Sequence, residues 1–194
     1  MLVSVFSELK TVGMLFAWQL LPHYCIELNG ALYLLDLKPP LTMRLVDSED
    51  QIFLDRLFRD GRPDLLALPL APNALTQMIA MQQMSQSAGV KSTYPYAQDW
   101  LLCWDQDAIG YLIFDVGGDV RLIDIVVLSS WRKHGVATHV LRALQVYAAG
   151  IDKSISLAVQ CDNQIARHVY QKAGFVLRSS DSLFDQMIWQ PEKF

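Results

Sequence analysis

One stretch limits what this chain can fold into more than any other: Ile123-Asp124-Ile125-Val126-Val127-Leu128-Ser129-Ser130-Trp131-Arg132-Lys133-His134-Gly135-Val136-Ala137-Thr138. Its first half is apolar and β-branched, the composition of a buried strand. A short polar turn with Arg-x-x-Gly-x-Ala spacing follows and opens into an amphipathic pattern. Strand, loop and helix N-terminus in that order make a place where backbone N–H groups and the helix dipole can hold a phosphate. Gly135 leaves out a side chain where the backbone must come close to such a group. Alone, the segment also fits an ordinary strand-to-helix turn, because short glycine motifs occur by chance.

A second segment narrows the choice. Asn163-Gln164-Ile165-Ala166-Arg167-His168-Val169-Tyr170-Gln171-Lys172-Ala173-Gly174-Phe175 has the pattern N-x-x-A-x-x-x-Y-x-x-x-G-F. Together the two segments resemble motifs A and B of the GNAT superfamily of acyl-CoA-dependent N-acetyltransferases. Within it, the chain is similar to small bacterial acetyltransferases of unassigned substrate, through Ala80-Met81-Gln82-Gln83, Tyr94-Pro95 and Ile123-Asp124-Ile125. The resemblance covers about residues 41 to 190. It implies an α+β fold with a central, mostly antiparallel mixed sheet flanked by helices.

The resemblance also implies a site. Acetyl-CoA is the expected cosubstrate, with no metal. Arg132, Lys133, His134, Gly135, Val136, Ala137 and Thr138 would wrap its pyrophosphate. Ala137 stands where many relatives have glycine, and Ser129 where many have proline, a change expected to matter little. The preceding strand would splay from its neighbour, and the main chain of Ile125, Val126 and Val127 would pair with the pantetheine arm. An N–H there would polarise the thioester carbonyl. Tyr170 would protonate the departing thiolate; it also reads as a core tyrosine. Asn163 would cap its helix or bond the coenzyme's arm.

The general base is less determined. Relatives carry an acid on this strand, and Asp124 fits one register while Ile123 occupies the commoner one. These positions face opposite sides of a regular strand, and a bulge would change which side Asp124 reaches. A carboxylate inside this apolar run needs a partner, water or substrate. Asp124 therefore reads either as the base or as a buried structural group. Tyr94-Pro95-Tyr96 reads either as part of the acceptor pocket or as a rigid turn. His134 reads as a loop residue rather than a base.

Composition sets outer bounds. The 194 residues suit one domain with an appendage, and 52% apolar content allows a sizeable core. The net charge of -4 has no basic block, which argues against nucleic acid. Cys25, Cys103 and Cys161 are far apart and show no metal-site or disulfide spacing. A reducing cytoplasm is the simplest setting. The apolar run Thr11–Leu21 is too short to cross a bilayer, which takes about 20 residues. Glu8 and Lys10 ahead of it, with no A-x-A site after it, disfavour a signal peptide.

Two parts are expected: an extension over 1–40, with a helix and a short strand at Ala31–Leu37, and the transferase domain over 41–194. Lys38-Pro39-Pro40 reads as a linker, and Met43 is an alternative start. Strands are expected at 41–46, 98–104, 109–115, 120–128, 154–160, 175–178 and 184–189. Helices are expected at 49–59, 73–87, 136–149 and 163–173, with Asn73 as a cap and Gly89 beyond the second. Leu75, Met78, Met81 and Met84 read as a core stripe, the commoner meaning of Met at helical spacing, or as a pliable binding surface. Two functions fit: acetyl transfer to a small-molecule or peptide amine in a ternary complex without a covalent enzyme intermediate, or a degenerate module binding acyl-CoA as a sensor. A homodimer through the apolar extension stays open.

Overall fold

Alternating apolar residues drive most of this chain into one sheet. The computed structural model describes residues 25–28, 31–35 and 37–192, so the helix expected near Thr11–Leu21 lies outside the described residues. Strands β1 (Cys25–Leu28) and β2 (Ala31–Leu34) form a separate antiparallel pair. Next come β3 (Leu41–Leu45), α1 (Gln51–Asp60), α2 (Pro63–Leu66) and α3 (Pro72–Thr93). Then follow the meander β4 (Gln98–Trp104), β5 (Asp107–Val116) and β6 (Val120–Val127). The chain finishes with α4 (Val136–Gly150), β7 (Ile155–Gln160), α5 (Gln164–Lys172), β8 (Val176–Ser180) and β9 (Phe184–Trp189). The seven-stranded sheet has the order β3-β4-β5-β6-β7-β9-β8, and only the β6–β7 pair is parallel.

Both sheet faces are covered. On one, Trp100, Leu112, Phe114, Val120 and Leu122 pack with Val140, Leu141 and Leu144 of α4. α5 lies on this side, tied to α4 where Gln145 Nε2 donates to the Ala173 carbonyl at 2.6 Å. On the other, Leu57 of α1 and Ile79 of α3 are buried, as are Leu101 and Ile113 of the sheet. Leu35 and Leu37 are buried in the main core beside Leu41 and Met43. Pro39 and Pro40 form a turn that holds the sheet rather than a free linker: the Asp105 N–H donates to the Pro40 carbonyl at 2.8 Å.

Three local expectations are corrected. α3 runs through Gly89 to Thr93, and Asn73 sits inside it rather than capping it, because Pro72 begins the helix. Met81 and Met84 are 66% and 74% exposed, so only Ile79 of that region enters the core. Ile52, near the start of α1, is also exposed despite its apolar side chain. The 3-10 turn Ser48–Asp50 that leads into α1 is capped by its own acidic residues. Asp47 accepts from the Glu49 N–H, Asp50 accepts from the Asp47 N–H, and Arg44 grips Asp50 at 2.5 and 2.6 Å. That grip holds the Asp50 carboxyl below its usual range.

Gly110 is where β5 comes closest to β6. A Cβ there would stand 2.5 Å from the Val126 carbonyl oxygen, which is main chain and cannot swing aside. Gly110→Ala is expected to cost about 1–3 kcal/mol by overpacking. Urea unfolding measures it; an unchanged midpoint would refute the close approach.

Candidate active site

The site begins with a single extra residue in β6. Leu122 pairs with Phe114 and Asp124 pairs with Ile113, so Ile123 is bulged out of the ladder. Before the bulge Val120 and Leu122 face the α4 core; after it Ile125 and Val127 do. Asp124 and Val126 therefore turn to the face covered by α1 and α3. There they join Asp99 and Tyr111 in lining a cavity of about 740 Å³, roofed by Leu54, Phe58, Gln83 and Val90 among others. Burial, opposed in part by a bond from the Ile125 N–H, pushes the Asp124 carboxyl up to about 6.

The same strand parts from its neighbour. β6 pairs with β7 only over Val120–Leu122, while β7 continues to Gln160 along β9. Ile123–Val127 thus border a gap. The Leu128 N–H bonds the Ile109 carbonyl on β5. Antiparallel alternation then directs the main chain of Val126 to β5, and that of Ile125 and Val127 to the gap. Of the three strand residues expected to offer backbone there, Ile125 and Val127 do so, whereas Val126 gives the cavity its side chain.

Beyond β6 the loop is built for an anion. Lys133 (φ 66°) and Gly135 (φ 79°) both take left-handed backbone. Among the described residues, the N–H groups of Lys133, His134, Gly135, Val136, Ala137 and Thr138 find no protein acceptor. Successive inward N–H groups with such turns form an anion nest at the N-terminus of α4. A non-glycine residue at φ 66° carries strain of order 1 kcal/mol, which sites of this kind tolerate.

The loop's side chains mostly hold its shape. Arg132 Nε donates to the Val127 carbonyl at 3.1 Å and its guanidinium reaches Asp60 at 3.5 Å. His134 Nδ1 contacts the Arg132 carbonyl at 2.9 Å, and its ring lies on Trp131. Ser129 donates to Asp60 from both its N–H and its hydroxyl, each at 2.6 Å. Burial raises the Asp60 carboxyl, but those bonds outweigh it and leave the group low. Ser129 thus does more than its position suggested: a proline there would have no N–H to give.

α5 brings up the remaining groups. Asn163 caps it, accepting from the Ala166 N–H at 3.1 Å. Gly174 (φ 86°) ends it, and the Phe175 N–H returns to the Tyr170 carbonyl at 3.0 Å. The Tyr170 ring packs on Phe175 and the main core. Burial first, then the Asp124 carboxylate, push its phenol up to about 12, so it stays protonated and senses the site's charge. Tyr96 is 86% exposed, and neither it nor Tyr94 lines the cavity, which leaves the rigid-turn reading of that pair. Cys161 lies apart, beside Ser180 and Asp185.

Three residues went unnoticed in the sequence: Asp60, Asp99 and Tyr111. Asp99 and Tyr111 stand at alternate positions to the core residues Trp100 and Leu112. Assigning those strands a second, cavity-lined face would have found them. Among the described residues, no group of three metal-ligating side chains occurs, and no helix is long and apolar enough to cross a membrane.

Comparison with known proteins identifies the family and the fold. The model of the acetyltransferase (GNAT) family matches residues 74–175. The chain belongs to that family. Solved structures share its fold at low identity. The PaiA N-acetyltransferase of Thermoplasma acidophilum, in complex with coenzyme A, is 15% identical, covering 78% of this chain and 99% of its own, with a TM-score of 0.58. An acetyltransferase of Thermus thermophilus is 20% identical, covering 78% and 97%, with a TM-score of 0.56. The Salmonella typhimurium acetyltransferase that modifies the N-terminal serine of ribosomal protein L7/L12 is 15% identical, covering 81% and 99%, with a TM-score of 0.58.

Proposed function

We propose that residues 41–194 form an N-acetyltransferase that moves an acetyl group from acetyl-CoA directly to a primary amine. The reading is carried by one juxtaposition: the β6–β7 gap opens beside the free N–H groups of the Lys133–Thr138 loop and beside Asp124. The loop N–H groups fit a pyrophosphate. The gap fits the extended pantetheine arm, and acetyl-CoA supplies an activated acyl group there.

The chain's own residues do the rest. Asp124, ionised above about pH 6, accepts a proton from the incoming ammonium and frees its lone pair. The N–H groups of Ile125 and Val127 are directed where negative charge develops on the carbonyl oxygen. Tyr170, still protonated at neutral pH, gives its proton to the departing sulfur. Leu54 and Phe58 of α1 and Val90 of α3 give the acceptor cavity an apolar wall. A reducing cytoplasm remains the setting we favour, and residues 1–40 are an extension whose Leu35 and Leu37 pack into the transferase core.

Release of free thiol from acetyl-CoA across a panel of amines tests the function. Tyr170→Phe separates transfer from binding. It is expected to lower turnover by about 10²-fold or more, while acetyl-CoA affinity measured by calorimetry changes little. Undiminished turnover in Tyr170→Phe would remove Tyr170 from the mechanism.

A further inference from the structure

The bulge at Ile123 has a second result. It brings Asp124 into one cross-strand row with Ile113 and Asp99, all on the cavity face. Two strand spacings separate the carboxylates' main chains, roughly 10 Å. Tyr111 stands diagonal to both, and its phenol is pushed well up by burial, then by Asp99 and Asp124. Asp55 of α1 adds a third carboxylate to the lining, and among the described residues Lys91 is its one Lys or Arg. Among the described residues, none of these three carboxylates has a Lys, Arg or His ion-pair partner. The space between them is apolar, with Ile113, Val126, Leu54 and Phe58 on its walls.

The partners of these carboxylates are neutral, the Gln51 amide donating to Asp55 at 2.7 Å and the Tyr111 phenol bonding Asp99. Carboxylates in a cavity without a counter-charge are costly unless a cation arrives with the ligand. Asp124 borders the gap and can serve only the reacting nitrogen. Asp99 lies a row's length away and needs a charge of its own. We infer that the acceptor is an aliphatic diamine, with one amine presented at Asp124, a second ammonium held by Asp99 and Tyr111, and the carbon chain lying over Ile113. This rests on the transferase reading above. Asp99 is a specificity residue and takes no part in the proton transfers.

Cadaverine and n-pentylamine share one carbon chain and differ by the second nitrogen, so their comparison tests the inference. The wild-type chain is expected to prefer cadaverine in kcat/KM by about tenfold or more, the worth of one charge-assisted pair. Asp99→Asn is expected to erase most of that preference by raising the KM for cadaverine. Asp99→Glu, which keeps the charge, should restore part of it. Equal kcat/KM for the two amines, or an equal loss for both in Asp99→Asn, would overturn the diamine assignment. Thiol release with neither amine, in protein that binds acetyl-CoA by calorimetry, would overturn it too and leave the transferase reading standing. Failure to bind acetyl-CoA would strike the transferase reading instead.

Discussion

Asp124→Asn is expected to abolish most turnover and to stabilise the protein. Both effects follow from one carboxyl turned by the bulge into a largely apolar cavity. Asparagine keeps the shape but cannot take the proton, so kcat/KM should fall by about 10²–10⁴-fold. The wild-type rate should rise with pH through about 6 as the carboxyl ionises, and the variant's residual rate should lack that limb.

The stability effect has the opposite sign from that of a salt-bridged aspartate. The folded-state value is raised from 3.8 to about 6, so between those values the folded chain holds a proton that the unfolded chain has lost. Stability from this group is therefore present at low pH and is lost as pH rises to about 6 and above. The cost is on the order of 3 kcal/mol. Asparagine carries no such cost. Urea unfolding at about pH 8 should show the variant more stable than wild type, with the gap closing toward about pH 4. A variant that unfolds earlier at both pH values would show that Asp124 is a structural group.

The second large effect concerns the loop. Gly135→Glu should weaken acetyl-CoA binding by at least about 100-fold, close to 3 kcal/mol. Two causes add: a side chain forced into left-handed backbone, and a negative charge where the N–H groups await a phosphate. Gly135→Ala separates them. Its Cβ would meet only the His139 ring at 3.5 Å, an ordinary contact, so it carries the backbone strain alone. That strain is about 1 kcal/mol, and its affinity should fall less than tenfold. Equal losses in the two variants would mean that the loop's conformation matters and its field does not.

Local order was largely legible in the sequence because periodicity and turn residues are local signals. The β6–loop–α4 run, the Asn163 cap and the Gly174 stop all stand as their residue types suggest. What escaped depends on contacts distant in sequence. Asp60 meets Ser129 across 69 positions, and no local pattern announces it. The Met stripe of α3 misled because helical spacing says that residues share a face, not that the face is covered. The side taken by Asp124 turned on one bulged residue, which the mostly apolar run Leu122–Val127 hides, since clear alternation is absent from it.

Calorimetric titration of the purified chain with acetyl-CoA tests the central claim most directly. The account predicts saturable binding at one site in the micromolar range, and free-thiol release once a suitable amine is added. No heat of binding at millimolar coenzyme would contradict it, because the free N–H groups of the Lys133–Thr138 loop would then hold no phosphate.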